Sequence, residues 1–246
     1  MSVKVNFVGS GDAFGTGGRF NTCILVDGKN VRFTIDFGGT SLVALNAQGI
    51  SHNSIDAILL THIHSDHSSG VPLLLMDAML GAKRDRPLTI AGPKNLRSRM
   101  EEARAVLFPG SEVMVPKFPV NYVELPVGET SEFLGLKVTP FAAKHTWQTD
   151  PTALRVEVDG KIVTYSGDGD YTPDLARAAK DADLFIAECY FYEKPVKWHL
   201  NYPSIREHKA DFAAKRMILT HFGPEMLAMA DQVPEETAHD GLIVEL

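Results

Sequence analysis

Cysteine is scarce in this chain and matches no disulfide or metal-binding pattern. Only two cysteines occur in 246 residues, Cys23 and Cys189, and they stand far apart in apolar surroundings. Neither a zinc finger nor a C-x-x-C redox motif can be built from them. We therefore expect two reduced cysteines in the core, which is typical of a cytoplasmic protein.

Long hydrophobic runs are missing as well. Residues 1–7 alternate as a strand does and contain no unbroken apolar segment, so no signal peptide is predicted. The longest apolar run, residues 71–80, includes Asp77 and is far too short to cross a bilayer. We expect a protein without a membrane partner. The run itself is predicted to be a buried helix, with a substrate lid or the contact face of a homodimer as alternatives.

Positive charge does not dominate either. The chain has 24 Lys and Arg against 31 Asp and Glu, which gives a formal net charge of −7 at pH 7. Such a balance provides no general field that attracts a polyanion, so nucleic-acid binding would need a local basic patch. A large nucleic-acid partner is not expected. A small molecule or a short nucleotide is the better candidate substrate.

Strand-like and helix-like segments alternate along the whole chain. Predicted strands cover residues 3–8, 21–26, 31–35, 55–60, 122–125, 136–142, 152–158, 161–165, 184–188, 216–220 and 242–245. Predicted helices cover residues 40–48, 173–180 and 203–215, and another begins at or after Pro93 and runs to Leu107. No Ser/Gly-rich linker or charge block separates the halves. Residues 1–246 are therefore predicted to form a single α/β domain with two sheets enclosed by helices.

The most informative segment is Thr61-His62-Ile63-His64-Ser65-Asp66-His67, because it places four strong metal ligands within six residues. Residues 56–60 before it have the pattern of a buried strand, and the apolar stretch after it has that of a helix. The segment is thus predicted to occupy a strand-to-helix loop, a position that often carries function. Its ligands form an incomplete set, which other parts of the chain must complete.

Three further candidate ligands follow predicted strands. His145, Asp168 and His221 each stand where an apolar strand ends, and rigid strand ends hold ligands within the tolerance that a metal requires. Taken alone, each is also explained as a polar residue of a strand end or turn. With the first segment they make five His and two Asp. Because one zinc ion takes about four ligands, the set predicts two divalent cations. Imidazoles favour zinc, although the carboxylates also accept manganese or iron.

These motifs resemble those of the metallo-β-lactamase superfamily and occur in the same order. Residues 34–38 (Thr-Ile-Asp-Phe-Gly) are similar to its upstream motif, with a structural aspartate at Asp36. Ser166-Gly167-Asp168 resembles its bridging-carboxylate motif, and Leu219-Thr220-His221 its last ligand motif. The resemblance implies a four-layer αββα sandwich with a binuclear site at the edges of its sheets.

The resemblance also implies how the ligands divide between the ions. One ion is expected to bind His62, His64 and His145, the other Asp66, His67 and His221, with Asp168 between the two. A pair of cations converts a bridging water into hydroxide at neutral pH and shares the charge that develops on the attacked centre. Asp66 is expected to have a catalytic role too, because it can orient that hydroxide.

Residues 9–18 are rich in glycine but lead into a predicted strand, which argues against a nucleotide-binding loop that opens a helix. With residues 19–22 they are similar to the opening of ribonuclease Z and its relatives, as are residues 187–189 and 198–204. In those relatives a Glu and a non-ligand His assist catalysis, and Glu188 and His199 stand at comparable positions. A His suits the protonation of an expelled alkoxide. The alternatives are a surface histidine and a glutamate that only orients its neighbours.

One feature of ribonuclease Z is missing. The long arm that binds tRNA lies between the equivalents of His145 and Asp168, and here these are 23 positions apart (168 − 145), room for two strands and a turn. Smaller relatives without the arm include phosphodiesterases for cyclic nucleotides or cyclic sugar phosphates. We predict a metal-dependent hydrolase of a small or single-stranded phosphodiester. Alternatives are a lactonase- or thioesterase-type carbonyl hydrolase, a tRNA 3′ endonuclease and a non-catalytic metabolite-binding protein.

Overall fold

The computed structural model describes residues 2–194 and 196–246. Its strands form two mixed sheets, each with seven strands in the described ranges. The first sheet has the order β14-β1-β2-β3-β4-β5-β6. Its strands are β1 (Lys4–Gly9), β2 (Cys23–Asp27), β3 (Arg32–Ile35), β4 (Ala57–Leu59), β5 (Leu88–Gly92), β6 (Val120–Glu124) and β14 (Leu242–Glu245).

The second sheet has the order β13-β12-β11-β10-β9-β8-β7. Its strands are β7 (Ser131–Phe133), β8 (Leu136–Ala142), β9 (Thr152–Val158), β10 (Lys161–Tyr165), β11 (Leu184–Glu188), β12 (Met217–Thr220) and β13 (Glu236–Thr237). The α-helices are α1 (Ser41–Ala47), α2 (Ser65–Ser68), α3 (Gly70–Leu80), α4 (Leu96–Leu107), α5 (Pro173–Ala179), α6 (Tyr202–Phe212) and α7 (Pro224–Met229). Short 3-10 turns occupy Thr16–Gly18, His52–Ser54, Ser111–Val113, Trp147–Thr149 and Ala230–Gln232.

The hydrophobic core lies in three layers that follow from the faces of the two sheets. Between the sheets, buried side chains of both interdigitate, such as Val5 and Phe33 from the first and Val156 and Ile186 from the second. The outer face of the first sheet is covered by α1, α3 and α4, and that of the second by α5, α6 and α7. This arrangement confirms the α/β class and the predicted four-layer αββα sandwich.

Parallel pairing places the ends of several strands at one edge of the sandwich. In the first sheet β3, β4, β5 and β6 run parallel to one another, and in the second β10, β11 and β12 do so. Ligands bind outside the carboxyl ends of such strands. Asp36, His62, Asp168 and His221 each follow one of these ends, so the fold brings together residues that are far apart in sequence.

Most predicted elements are present, with two informative differences. Strands β5, β7 and β13 and helix α7 were not predicted. Residues 61–67 are not a simple loop, because Asp66 and His67 lie in the single turn of α2. The apolar run forms the buried helix α3, as predicted. No helix in the described ranges has the length and apolar character needed to span a bilayer.

Candidate metal centre

Three imidazoles converge where β4 and β8 end. The Nδ1 atom of His64 lies 3.1 Å from the Nε2 atom of His62 and 3.1 Å from that of His145. Metal–nitrogen bonds of about 2.0–2.1 Å in a tetrahedral zinc site place the nitrogens roughly 3.3 Å apart. The spacing therefore fits three ligands of one ion. This is the first ligand set that the sequence predicted.

A second group of possible ligands lies beside the first and is more deeply buried. The Nε2 atom of His67 lies 3.1 Å from Oδ2 of Asp66 and 3.3 Å from Oδ1 of Asp168. The Nε2 atom of His221 lies 3.4 Å from Oδ2 of Asp168. All four side chains have ligand atoms within 4.8 Å of one another. They match the second predicted ligand set together with the predicted bridging residue.

Asp168 lies between the two groups. Its Oδ1 atom faces His67, whereas its Oδ2 atom lies 3.4 Å from His221 and 4.0 Å from Nε2 of His62 in the first group. A carboxylate in this position can contribute one oxygen to each of two cations. All seven predicted ligands thus meet at one place in the fold.

The ligand atoms are arranged to bind cations, not to satisfy one another by hydrogen bonds. The Nε2 atom of His67 and the Oδ1 atom of Asp168 are both buried and have no hydrogen-bond partner among the described residues. Buried polar atoms are rarely left without a partner, so such a pair needs an explanation. Cations that accept both atoms as ligands explain it, and the mixture of imidazole and carboxylate donors suits zinc, manganese or iron.

The charges of the centre also favour a cation. Burial alone lowers the pKa of His67, but the carboxylates of Asp168, Asp66 and Asp36 raise that pKa well above its usual value. Burial alone raises the pKa of Asp168, yet His221 and His67 hold it well below the usual range. The protein therefore concentrates buried negative charge here. A bound metal ion can supply the positive charge that the pocket otherwise takes from a proton.

The first group, in contrast, is kept neutral. Burial lowers the pKa of His62 well below its usual value, and the nearby His67 lowers it further. Burial likewise lowers the pKa of His64 and of His145. Only neutral imidazole has a free nitrogen lone pair for a metal. These three side chains are thus in the protonation state that ligation requires.

Asp36 fixes the orientation of His67. Its carboxylate lies 2.6 Å from Nδ1 of His67 and accepts hydrogen bonds from the backbone N–H (2.7 Å) and the hydroxyl (2.8 Å) of Thr61. Metal-bound histidines commonly donate their second N–H to a carboxylate in this way. The bond directs Nε2 of His67 toward the candidate centre. Asp36 is therefore the structural aspartate that the resemblance implied.

Two other candidate ligands have partners that sequence reasoning missed. The Nδ1 atom of His221 lies 3.2 Å from the hydroxyl of Thr22, and that of His145 lies 2.7 Å from the carbonyl oxygen of Trp198. These partners lie 199 and 53 positions away from their histidines, respectively. A Thr or a backbone carbonyl carries no sequence signal of such a role.

Glu188 and His199 form a pair beside the ligands. The Nδ1 atom of His199 lies 3.0 Å from Oε2 of Glu188 and 3.9 Å from Oδ2 of Asp168. Glu188 is fully buried, and its Oε1 atom accepts a hydrogen bond of 2.5 Å from the backbone N–H of Gly169. Burial alone lowers the pKa of His199, but Glu188 raises it to about 9. Of the three residues predicted to have catalytic roles, Glu188 and His199 are thus in contact.

An open cleft of about 450 Å³ leads to the centre. Its base contains ligand side chains and His199, whereas aromatic side chains form much of its wall. These aromatic residues are Phe14, Tyr190, Phe191 and Trp198. Among the described residues that line the cleft, none is Lys or Arg. The contribution of Phe14 was not predicted, because the glycine-rich segment around it was compared with nucleotide-binding loops and with the opening of ribonuclease Z but not considered as part of a cleft wall.

Comparison with known proteins agrees with this geometry. The model of the family described as anti-Pycsar protein Apyc1 matches residues 3–244. The ribonuclease Z of Agathobacter rectalis is 25% identical over 271 residues, which covers 88% of this chain and 86% of that protein.

Solved structures show the same architecture. The metallo-β-lactamase fold protein YhfI from Bacillus subtilis has a TM-score of 0.82 at 18% identity, with both chains covered completely. The short form of human tRNase Z has a TM-score of 0.76 at 20% identity and 98% coverage of both chains. The fold, the order of the motifs and the ligand geometry are those of a metal-dependent hydrolase.

Proposed function

Because this chain belongs to the family of the anti-Pycsar protein Apyc1 and resembles ribonuclease Z along most of its length, we propose that it hydrolyses a phosphodiester bond in a small substrate. The observation that carries the proposal is the pair of ligand groups linked by Asp168, with His199 in the same cleft. When bound there, two divalent cations would lower the pKa of water and offset the negative charge of the phosphoryl oxygens.

The geometry supports one set of ligands for each cation. One cation is proposed to bind His62, His64 and His145, the other Asp66, His67 and His221, and Asp168 to bind both. Zinc is the proposed metal because five of the seven ligands are imidazoles, although the carboxylates also suit manganese or iron.

His199 is proposed to protonate the leaving group. Its Nδ1 atom is bound to Glu188, so Nε2 is the ring nitrogen left to donate a proton to the alkoxide oxygen as the P–O bond breaks. Glu188 is a positioning residue, because it is buried and acts through the imidazole. Asp66 also lines the cleft, and besides holding a cation it is proposed to accept a hydrogen bond from the attacking water.

Three features support a small substrate. The cleft volume of about 450 Å³ lies within the range typical of small-molecule sites, roughly 300–1,000 Å³. Cationic side chains that could track a long phosphate backbone do not line it in the described part of the chain. Between His145 and Asp168 the chain forms the hairpin of β9 and β10 instead of a long arm. A cyclic nucleotide therefore suits the cleft better than a tRNA does.

A substrate panel tests the proposal. We expect zinc-loaded protein to hydrolyse adenosine 3′,5′-cyclic phosphate and bis-p-nitrophenyl phosphate but neither a homoserine lactone nor a thioester. Turnover of the lactone or thioester without turnover of either diester would contradict the proposal and favour a carbonyl hydrolase.

The role of His199 is tested by comparing two diesters whose leaving groups differ in their need for a proton. The H199A variant should lose about 100-fold or more in kcat on the cyclic nucleotide, whose alkoxide must be protonated to leave. It should lose much less on bis-p-nitrophenyl phosphate, since p-nitrophenolate leaves without a proton. H208A is the matched control, because His208 stacks on Tyr171 outside the cleft. Equal losses on both diesters would exclude the general-acid role.

A further inference from the structure

Two of the three most exposed aromatic side chains of the described chain lie in the cleft of the candidate metal centre. Among its exposed large hydrophobic residues, the aromatic ones are Phe14 (83% exposed), Trp147 (78%) and Trp198 (51%). Phe14 and Trp198 line the cleft. Trp147 follows the ligand His145 by two positions but does not line the cleft. An apolar ring in water is unfavourable, so two such rings at one cleft suggest a ligand that covers them.

The loop that carries Phe14 is built to keep the ring exposed. The buried carboxylate of Asp12 accepts hydrogen bonds from the backbone N–H of Thr16 (2.8 Å), from its hydroxyl (2.7 Å) and from the backbone N–H of Phe14 (3.3 Å). Gly15 and Gly17 both adopt φ of +68°, which glycine does at no steric cost. The loop is thereby tied at its base, and the phenyl ring stays at the cleft.

Trp198 is fixed by its backbone in a similar way. It has φ of +75°, an uncommon conformation for a bulky residue. Its carbonyl oxygen lies 2.7 Å from Nδ1 of the ligand His145, so the main chain is tied to the candidate metal centre. The indole is left half exposed in the wall of the cleft.

The other aromatic residues of the wall are explained by packing. The rings of Tyr190 and Phe191 contact each other in a T-shaped arrangement, with centroids 4.6 Å apart. The ring of Tyr190 also lies so close to Gly223 that a Cβ atom there would be 2.8 Å from it. Phe14 and Trp198 have no comparable ring contact among the described residues. They remain the wall residues without a structural explanation.

We propose that Phe14 and Trp198 form a ring-binding subsite that holds the flat, uncharged ring of a substrate, such as a nucleobase, while its phosphodiester lies at the metal centre. This proposal rests on the proposed function and specifies its substrate as one ring with one anionic group. Aromatic platforms also bind single-stranded nucleic acid, but they do so within a cationic groove. The lining of this cleft, as described, has no such groove.

A selectivity measurement tests the subsite. We compare kcat/KM for adenosine 3′,5′-cyclic phosphate, which has a base, with that for glycerol 1,2-cyclic phosphate, which has none. In F14A the ratio should fall about tenfold, mostly through KM of the nucleotide, since stacking on one aromatic ring is worth this much or more. F14Y should restore the ratio, and W147A, the matched exposed aromatic outside the cleft, should not change it. An unchanged ratio in F14A would overturn the proposal.

A binding measurement separates this subsite from the chemistry. The chain has two tryptophans, so W147F leaves Trp198 as the sole indole emitter. Adenosine 5′-monophosphate should quench its fluorescence saturably, ribose 5-phosphate should not, and F14A in the same background should weaken binding about tenfold. No quenching, or much tighter binding of oligothymidine, would overturn the proposal. Because this readout needs no turnover, an inert enzyme that still binds the nucleotide would contradict the proposed function and support the subsite.

Discussion

Asp36 shows how a single side chain can prepare a metal ligand. Its carboxylate is completely buried, accepts two hydrogen bonds from Thr61 and pairs with Nδ1 of His67 at 2.6 Å. This contact holds the proton on Nδ1 and leaves Nε2 for a cation. The φ angle of Asp36 is +60°, a conformation that Asp and Asn tolerate better than most residues.

The D36N variant tests this role with little change of shape. Asn retains the backbone conformation and one acceptor oxygen but removes the negative charge that polarises His67. We expect the affinity for zinc to fall about 10- to 100-fold, measured by competition with a chelator. D77N is the matched control, because Asp77 forms the same kind of pair with His52 (2.7 Å) away from the centre. Equal affinity in D36N and wild type would refute the assigned role.

The pair of Glu188 and His199 leads to a prediction about pH. Burial alone lowers the pKa of His199, whereas Glu188 raises it to about 9. The proton donor is the protonated imidazole, so kcat on the cyclic nucleotide should fall as pH rises through this pKa. Bound cations repel a protonated imidazole and so lower the pKa of His199. The fall of kcat at high pH, which is the alkaline limb of the profile, is therefore expected at or below pH 9 in the metal-loaded enzyme.

The E188Q variant loses the negative charge that raises the pKa of His199. The fall of kcat at high pH should therefore occur about one pH unit or more lower than in the wild type. The profile of kcat against pH on bis-p-nitrophenyl phosphate is the internal control, since that leaving group needs no proton. A limb that stays at the same pH in E188Q would contradict the account of His199.

At the scale of elements, close backbone contacts hold the ligand segment in place. A Cβ atom on Gly38 would lie 2.0 Å from the carbonyl oxygen of Asp66, and one on Gly70 would lie 2.2 Å from that of Gly38. The segment after β3 thus lies directly against α2 and the start of α3. Only glycine permits this approach, which places Asp36 against His67.

The G38A variant should therefore loosen the centre. We expect it to destabilise the fold by about 1–3 kcal/mol through overpacking and to weaken zinc binding. For a chain of this size the melting temperature falls by roughly 2–4 °C per kcal/mol. G39A is the matched neighbour, because its Cβ would meet side-chain atoms instead of backbone: the hydroxyl of Ser69 at 2.9 Å and Oδ1 of Asn21 at 3.7 Å. Equal melting temperatures of G38A and wild type would show that the segment yields more easily than the contacts indicate.

The sequence predicted elements where local pattern determines them. Alternation of apolar and polar residues predicted β8 at its observed limits, and the predicted strands 152–158 and 161–165 form the hairpin of β9 and β10. It missed β5, whose five residues are all buried and show no alternation. It placed the start of α4 only at or after Pro93; the helix starts at Leu96, because Asn95 before it adopts φ of +59°.

For the whole molecule, the centre joins the two halves of the sandwich. Four of the seven ligands follow β4 in the first sheet, and three follow strands of the second: His145, Asp168 and His221. The sequence predicted these seven candidate ligands because their residue types are distinctive and each lies after a strand, and the structure brings all seven together. Their outer partners, such as Thr22 and the carbonyl of Trp198, depend on contacts that form only in the folded chain.

Because the candidate ligands come from both sheets, the stability of the fold should depend on bound metal. Ions that bind the folded chain more tightly than the unfolded one stabilise it, and here they would connect both sheets. Treatment with a chelator should lower the melting temperature of the whole domain, and zinc should restore it. A chelated protein that melts at the same temperature as the loaded one would contradict the assignment of ligands from both sheets.

The most direct measurement is the metal content of the purified chain after zinc loading and dialysis, determined together with its diesterase activity. The account predicts two zinc ions per chain in the wild type and one in H145A, with diester hydrolysis lost in that variant. Wild-type protein that retains no metal, or variants of His145 and His221 that bind as many ions as the wild type, would contradict the account.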